Sequence, residues 1–134
     1  MLKELRVQTQ AHNEMRNIDS LVQGVVSESG VQEGLCVVWV PHTTAGVTIN
    51  ENADPDVVRD IVYEMNKIVP AQDHYHHMEG NSDGHIKSSL FGPSQTLIVT
   101  GGRLILGTWQ SVYFCEFDGP RHRRVFVKVI KDPS

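Results

Sequence analysis

The order of segments in this chain predicts an α+β fold: a large mixed, mostly antiparallel sheet or sandwich with helices packed on one side. Three observations carry that prediction. Two strand-like segments precede the first helical one, two more precede a longer helical stretch, and a run of β segments closes the chain. That order lacks the regular β–α–β alternation that winds a parallel sheet. The chain has 134 residues, 40% hydrophobic and 21% charged. This is ordinary globular usage, which excludes disordered, collagenous and coiled-coil classes, and the length fits one domain over 1–134.

The elements follow in order. Residues 3–9 alternate, with Leu5, Val7 and Thr9 on one face and Glu4, Arg6 and Gln8 on the other, as in a strand with one wet face. Residues 12–18 form its neighbour. Ser20-x-x-Gln23 reads as a capping box opening a helix, with Leu21/Val25 and Val22/Val26 at helical spacing and Gly30 as the stop. Residues 35–40 (LCVVWV) have no polar side, which predicts a strand covered on both faces. Pro41 ends it, and 47–50 make another short strand.

Asp54-Pro55 starts a helix with a mechanism behind it: Asp54 caps, and Pro55 fills the first position, where no amide donor is needed. Val57, Val58, Ile61, Val62, Met65, Ile68 and Val69 then form an apolar stripe that Pro70 closes. Residues 71–84 read as a polar loop, and 85–91 as a short helix stopped by Gly92-Pro93. Strands are predicted over 95–100, 103–106, 109–117 and 124–130, with Gly101-Gly102 as a hairpin turn.

Composition narrows the function classes. Twelve Lys and Arg against sixteen Asp and Glu give a net charge of −4, which disfavours broad nucleic-acid binding. Residues 119–131 nevertheless hold no acid and carry Arg121, Arg123, Arg124, Lys128 and Lys131, either a solvated basic face or a local anion site. No apolar run approaches the ~20 residues that span a bilayer, so no membrane partner is expected. The charges in MLKELRVQTQ, where a signal peptide would be apolar, predict a cytoplasmic protein. Cys36 and Cys115 sit in apolar strand-like runs without metal-ligand spacing, as buried thiols do.

Histidine is the residue type most suggestive of chemistry. Of seven, His74, His76, His77 and His85 lie in one polar stretch, and His42 follows a predicted strand end. Three imidazoles with an open fourth position make a catalytic zinc arrangement, yet no HExxH supports one. Exposed loop histidines without function remain the other reading. His77-x-Glu79 adds a carboxylate able to serve as ligand, metal-ligand partner or general base. Gly80-Asn81-Ser82-Asp83-Gly84, running into a helix, is a candidate anion cradle and equally a good turn. Asn50 and Asn52 have no evident structural duty. No GxSxG elbow supports a serine triad, and buried thiols disfavour cysteine catalysis.

PHTTAGVTINENADPDV, YHHMEGNSDGHIKSSLFGPS, LGTWQSVYFCEFDGPR and the closing RRVFVKVI resemble the YjbQ family over nearly the whole chain. The resemblance implies an α+β sandwich-like subunit assembled as a homotrimer. It also implies secondary thiamine-phosphate synthase activity, which joins a pyrimidine methyl pyrophosphate to a thiazole phosphate and releases pyrophosphate. Carried over residue by residue, it implies metal ligands at His42, His77 and His85, with a divalent metal, zinc foremost. It assigns Glu79 and Arg121 to catalysis, and Thr43, Asn50, Asn52, Gly84, Thr108 and Gln110 to the binding of a phosphorylated small-molecule substrate. Gly84 stands where alanine is common in the family, and glycine there is expected to loosen the helix start. The alternatives are a metal-dependent hydrolase and a non-catalytic trimer that binds a metal or a phosphorylated metabolite.

Overall fold

A computed structural model describes residues 1–133. Eight strands and three helices follow one another as β1 (Leu2–Gln8), β2 (Glu14–Asn17), α1 (Asp19–Ser29), β3 (Gly34–Trp39), β4 (Ala45–Glu51), α2 (Pro55–Ile68), α3 (Ser82–Phe91), β5 (Ser94–Thr100), β6 (Arg103–Leu104), β7 (Gln110–Glu116) and β8 (His122–Lys131). They form a five-stranded sheet, β1-β8-β3-β5-β6, and a three-stranded sheet, β2-β7-β4. Every pairing is antiparallel, so the predicted α+β fold with a mostly antiparallel sheet stands, with no parallel pair among the described residues.

Alternation builds the main core. Val125, Val127 and Val129 of β8, Cys36 and Val38 of β3, and Leu97 and Val99 of β5 turn inward to meet Val112 and Phe114 of β7. Val22, Val25 and Val26 of α1 join the same cluster. The opposite face of β7 presents Tyr113 and Cys115, which with Phe117 pack against Met15, Val58 of α2 and Phe91 of α3. The small sheet is therefore covered on both faces, by the main core and by α2 with α3.

Local chemistry sets the helix ends. Asp54 Oδ1 accepts from the Asp56 backbone N–H at 2.9 Å, and Gly30 ends α1 at φ 71°, a conformation costly for side-chain-bearing residues. Three readings need correction. Ser20 lies inside α1 without capping it, and Gln23 instead bonds Gly102 O and the Leu104 N–H. The strand over 35–40 is covered on one side only, because Leu35 and Trp39 are 41% and 46% exposed on the outer face of the large sheet. Helix α3 begins at Ser82 rather than His85, because the segment packs on β4: Ser88 Oγ donates to Ala45 O at 2.7 Å.

Candidate functional site

The start of α3 gathers the histidines. His77, in the loop before the helix, and His85, in its second turn, meet edge to face with ring centroids 5.3 Å apart and an interplanar angle of 87°. They line an open hollow of about 430 Å³ with His74, Tyr75, His76 and Ser82. Tyr75 donates to Pro70 O at 2.7 Å. Its phenol pKa is raised by burial and by the nearby Asp73 and Asp83 carboxylates, which keeps it a neutral donor. No side chain caps the start of α3, where backbone N–H groups and the positive end of the helix dipole favour an anion. Glu79 stands exposed in the same loop.

A polar chain ties this helix start to the turn after β7. Asn81 Nδ2 donates to Asp118 Oδ2 at 2.8 Å, and Arg121 donates to the same oxygen at 3.1 Å and to Asp118 O at 2.7 Å. The β3–β4 loop joins from the other side. A Cβ on Gly84 would stand 3.0 Å from Phe117 O and 3.3 Å from Thr44 Cγ2, so the glycine permits close packing of α3 instead of loosening it.

Beneath lies a network that sequence reasoning did not single out. Glu116, fully buried, accepts from Thr9 Oγ1 at 2.7 Å, from Arg123 Nε at 2.9 Å, and from the Phe117 and Asp118 N–H groups. Arg123 also donates to Thr44 Oγ1 at 2.9 Å. Burial raises the Glu116 pKa, but the bonds from Arg123, Thr9 and Asp118 outweigh it and the net direction is down. The only signal in the sequence was the acid and the arginine seven apart on successive strands, and that spacing is too common to be specific.

The other expected site residues fall into two groups. His42 and exposed Thr43 are in the β3–β4 loop, and His42 Nε2 accepts the Arg124 backbone N–H at 3.0 Å. That bond occupies the Nε2 lone pair, so a metal bound through Nε2 would have to displace it. Burial, then Arg123 and Arg124, lower the His42 pKa. Asn50, Asn52, Thr108 and Gln110 gather at the far end of β4. Asn50 Oδ1 accepts the Glu51 N–H, Tyr113 donates to Asn52 Oδ1, the Asn52 N–H reaches Trp109 O, and Gln110 Oε1 accepts the Gly107 N–H. Asn50 lies five residues along β4 from Ala45, about 16 Å at ~3.3 Å each, and the others lie beyond it, away from the α3 end of the strand. Within one chain the two groups do not share a pocket.

Among the described residues no three His, Cys, Asp or Glu side chains converge to hold a metal. No helix of the described residues is long and apolar enough to cross a membrane. Cys36 and Cys115 are free and buried, and burial pushes their thiols up to about 11 and about 12, out of nucleophilic range.

The sequence profile of the UPF0047 protein YjbQ-like family matches residues 3–132. The UPF0047 protein MJ1081 of Methanocaldococcus jannaschii is 49% identical over 98% of this chain and 96% of its own length. The UPF0047 protein YugU of Bacillus subtilis is 49% identical over 97% and 99%. Among solved structures, an uncharacterized conserved protein of the yjbq/upf0047 family from Clostridium acetobutylicum superposes with TM-score 0.94 at 55% identity, covering 96% of this chain and 99% of that one. A YbjQ-like protein of unknown function from Sulfolobus solfataricus gives TM-score 0.94 at 27% identity, over 98% and 97%. None of these names carries a thiamine-phosphate synthase or a metal-dependent activity. With no three-ligand group among the described residues, the expected function, a metal-dependent thiamine-phosphate synthase with a metal-dependent hydrolase as its alternative, does not stand.

Proposed function

The chain belongs to the YjbQ-like UPF0047 family, and from that premise we propose that it binds a small molecule carrying an oxyanion, a phosphate ester fitting best, in the histidine-lined hollow at the start of α3. The observation that carries this reading is the His77–His85 pair beside an uncapped helix start. Imidazole N–H groups and backbone amides are both donors, and both gain strength toward an anion. Arg121, held against Asp118 half in solvent, adds a cation near the same turn. Two imidazoles supply half of the four ligands zinc takes, so this reading requires no metal.

The same reading has the chain working as a homotrimer, as the resemblance implies. The outer face of the large sheet supports self-association. Leu35 is flanked in register by Ile98 and Ile130, and Trp39 meets Phe126 at 5.7 Å with the rings tilted by 41°, all on an uncovered side of central strands. An apolar row of this kind on a sheet face marks a contact surface. Calorimetric titration with phenyl phosphate tests the ligand reading. Saturable binding that His85→Ala weakens supports it, and no binding overturns it.

A further inference from the structure

Helix α2 has a strong apolar stripe yet buries none of its residues completely. Ile61, Val62 and Met65 rest half-covered over Met15, Phe91 and Phe117, around a cavity of about 10 Å³, room for about one water. Lys87 forms part of its wall and is 1% exposed, a rare state for lysine. Its ammonium donates to Asn66 Oδ1 of α2 at 2.5 Å and to Asn13 Oδ1 of the β1–β2 loop at 3.3 Å. Asp83 Oδ2, buried without a hydrogen-bond partner, stands 4.0 Å away, with His12 Nε2 3.8 Å from it on the solvent side.

Among the described residues, the Asn66–Lys87 bond is the one side-chain hydrogen bond that ties α2 to the rest of the fold. The other side-chain polar contacts of the helix, Arg59–Asp56, Lys67–Glu64 and the Asp54 cap, are local. A helix held by a half-covered stripe and one latch belongs to the low-stability end of a structure, while β3 and β8, in the middle of the large sheet, belong to the high end.

We propose that α2 is a hinged cover, latched by Asn66 to Lys87, that opens as a unit and exposes the Lys87 amine and the apolar wall beneath it. What opening uncovers fits a small molecule with an apolar body and an oxygen acceptor for the ammonium. This goes beyond the oxyanion reading, which uses neither α2 nor Lys87.

Timed acetylation with N-acetoxysuccinimide, read lysine by lysine by mass spectrometry beside amide hydrogen exchange, tests it. Lys3, Lys128 and Lys131, all outside α2, are exposed and serve as internal references. In the native protein Lys87 is expected to label more slowly than these three, yet faster than the amides of β3 and β8 open. Asn66→Ala raises intrinsic helix propensity, so any loosening comes from the lost latch. Lys87 labelling should then rise roughly tenfold with the reference lysines and the β3 and β8 amides unchanged. Asn66→Asp, which sets a carboxylate against the ammonium, should slow it. Unchanged labelling in Asn66→Ala, faster labelling in Asn66→Asp, or a rise matched by β3 and β8 exchange overturns the cover.

Discussion

His77 and His85 meet edge to face at 5.3 Å although one belongs to a loop and the other to a helix. The contact depends on α3 starting at Ser82, which turns His85 toward the loop. If this pair carries the ligand, His77→Ala and His85→Ala should each weaken phenyl phosphate binding about tenfold or more, the scale of a lost charge-assisted hydrogen bond. Gln110→Ala, at the far end of β4, should leave it unchanged. Titration calorimetry on the three variants checks this, and equal losses in all three would count against the assignment.

Buried Glu116 depends on Arg123. Truncating the guanidinium in Arg123→Met leaves a fully buried carboxylate without its main partner, which should cost about 3–5 kcal/mol. Urea unfolding measures it, and a loss under about 1 kcal/mol would show that the network relaxes to find other donors. The Glu116 pKa is held below its unfolded value of 4.5, so its contribution is present above that pH and is lost as pH falls through the folded value.

His42 gives a second pH signature. Burial and the two arginines hold its pKa below the ordinary 6.5. Above 6.5 the imidazole is neutral in folded and unfolded chains alike, and its contribution is whole. As pH falls from there toward the folded value, the unfolded chain takes the proton first and stability drops. In His42→Gln the fall in urea midpoint between about pH 7 and 5 should flatten. An unchanged slope would remove His42 as its source.

The outer sheet face makes a prediction about assembly. Ile98, 57% exposed, lies beside Leu35 in register. If that face holds copies together, native mass should correspond to three chains, and Ile98→Lys should lower it toward one while the circular dichroism spectrum persists. A trimer unaffected by the lysine would place the contact elsewhere.

Much of the fold was legible because its signals are local. Alternation over 3–9 and 124–130, the Asp54-Pro55 start and the Gly30 stop all act within a few residues. The misread elements depend on distant packing. Residues 35–40 carry no polar residue, yet their outer face is open, since nothing in a short apolar run says which face has a neighbour. Ser82–Gly84 look like a turn because Gly84 discourages helix, and only Thr44 and Phe117 explain the glycine. The site was half legible. His77 and His85 were singled out and do meet, whereas His42 spends its Nε2 on Arg124, and no spacing rule foresees a bond spanning 82 positions. Lys87 went unremarked, because burial of one lysine in a mixed helix leaves no local trace.

The most direct test of the ligand reading is a ¹H–¹⁵N correlation spectrum of the histidine rings and backbone, recorded while phenyl phosphate is added. The account predicts progressive, saturable shifts for His77, His85 and the amides at the start of α3, with the far-end residues Asn50 and Gln110 still. Shifts absent from His77 and His85, or centred on the far end of β4, would contradict it.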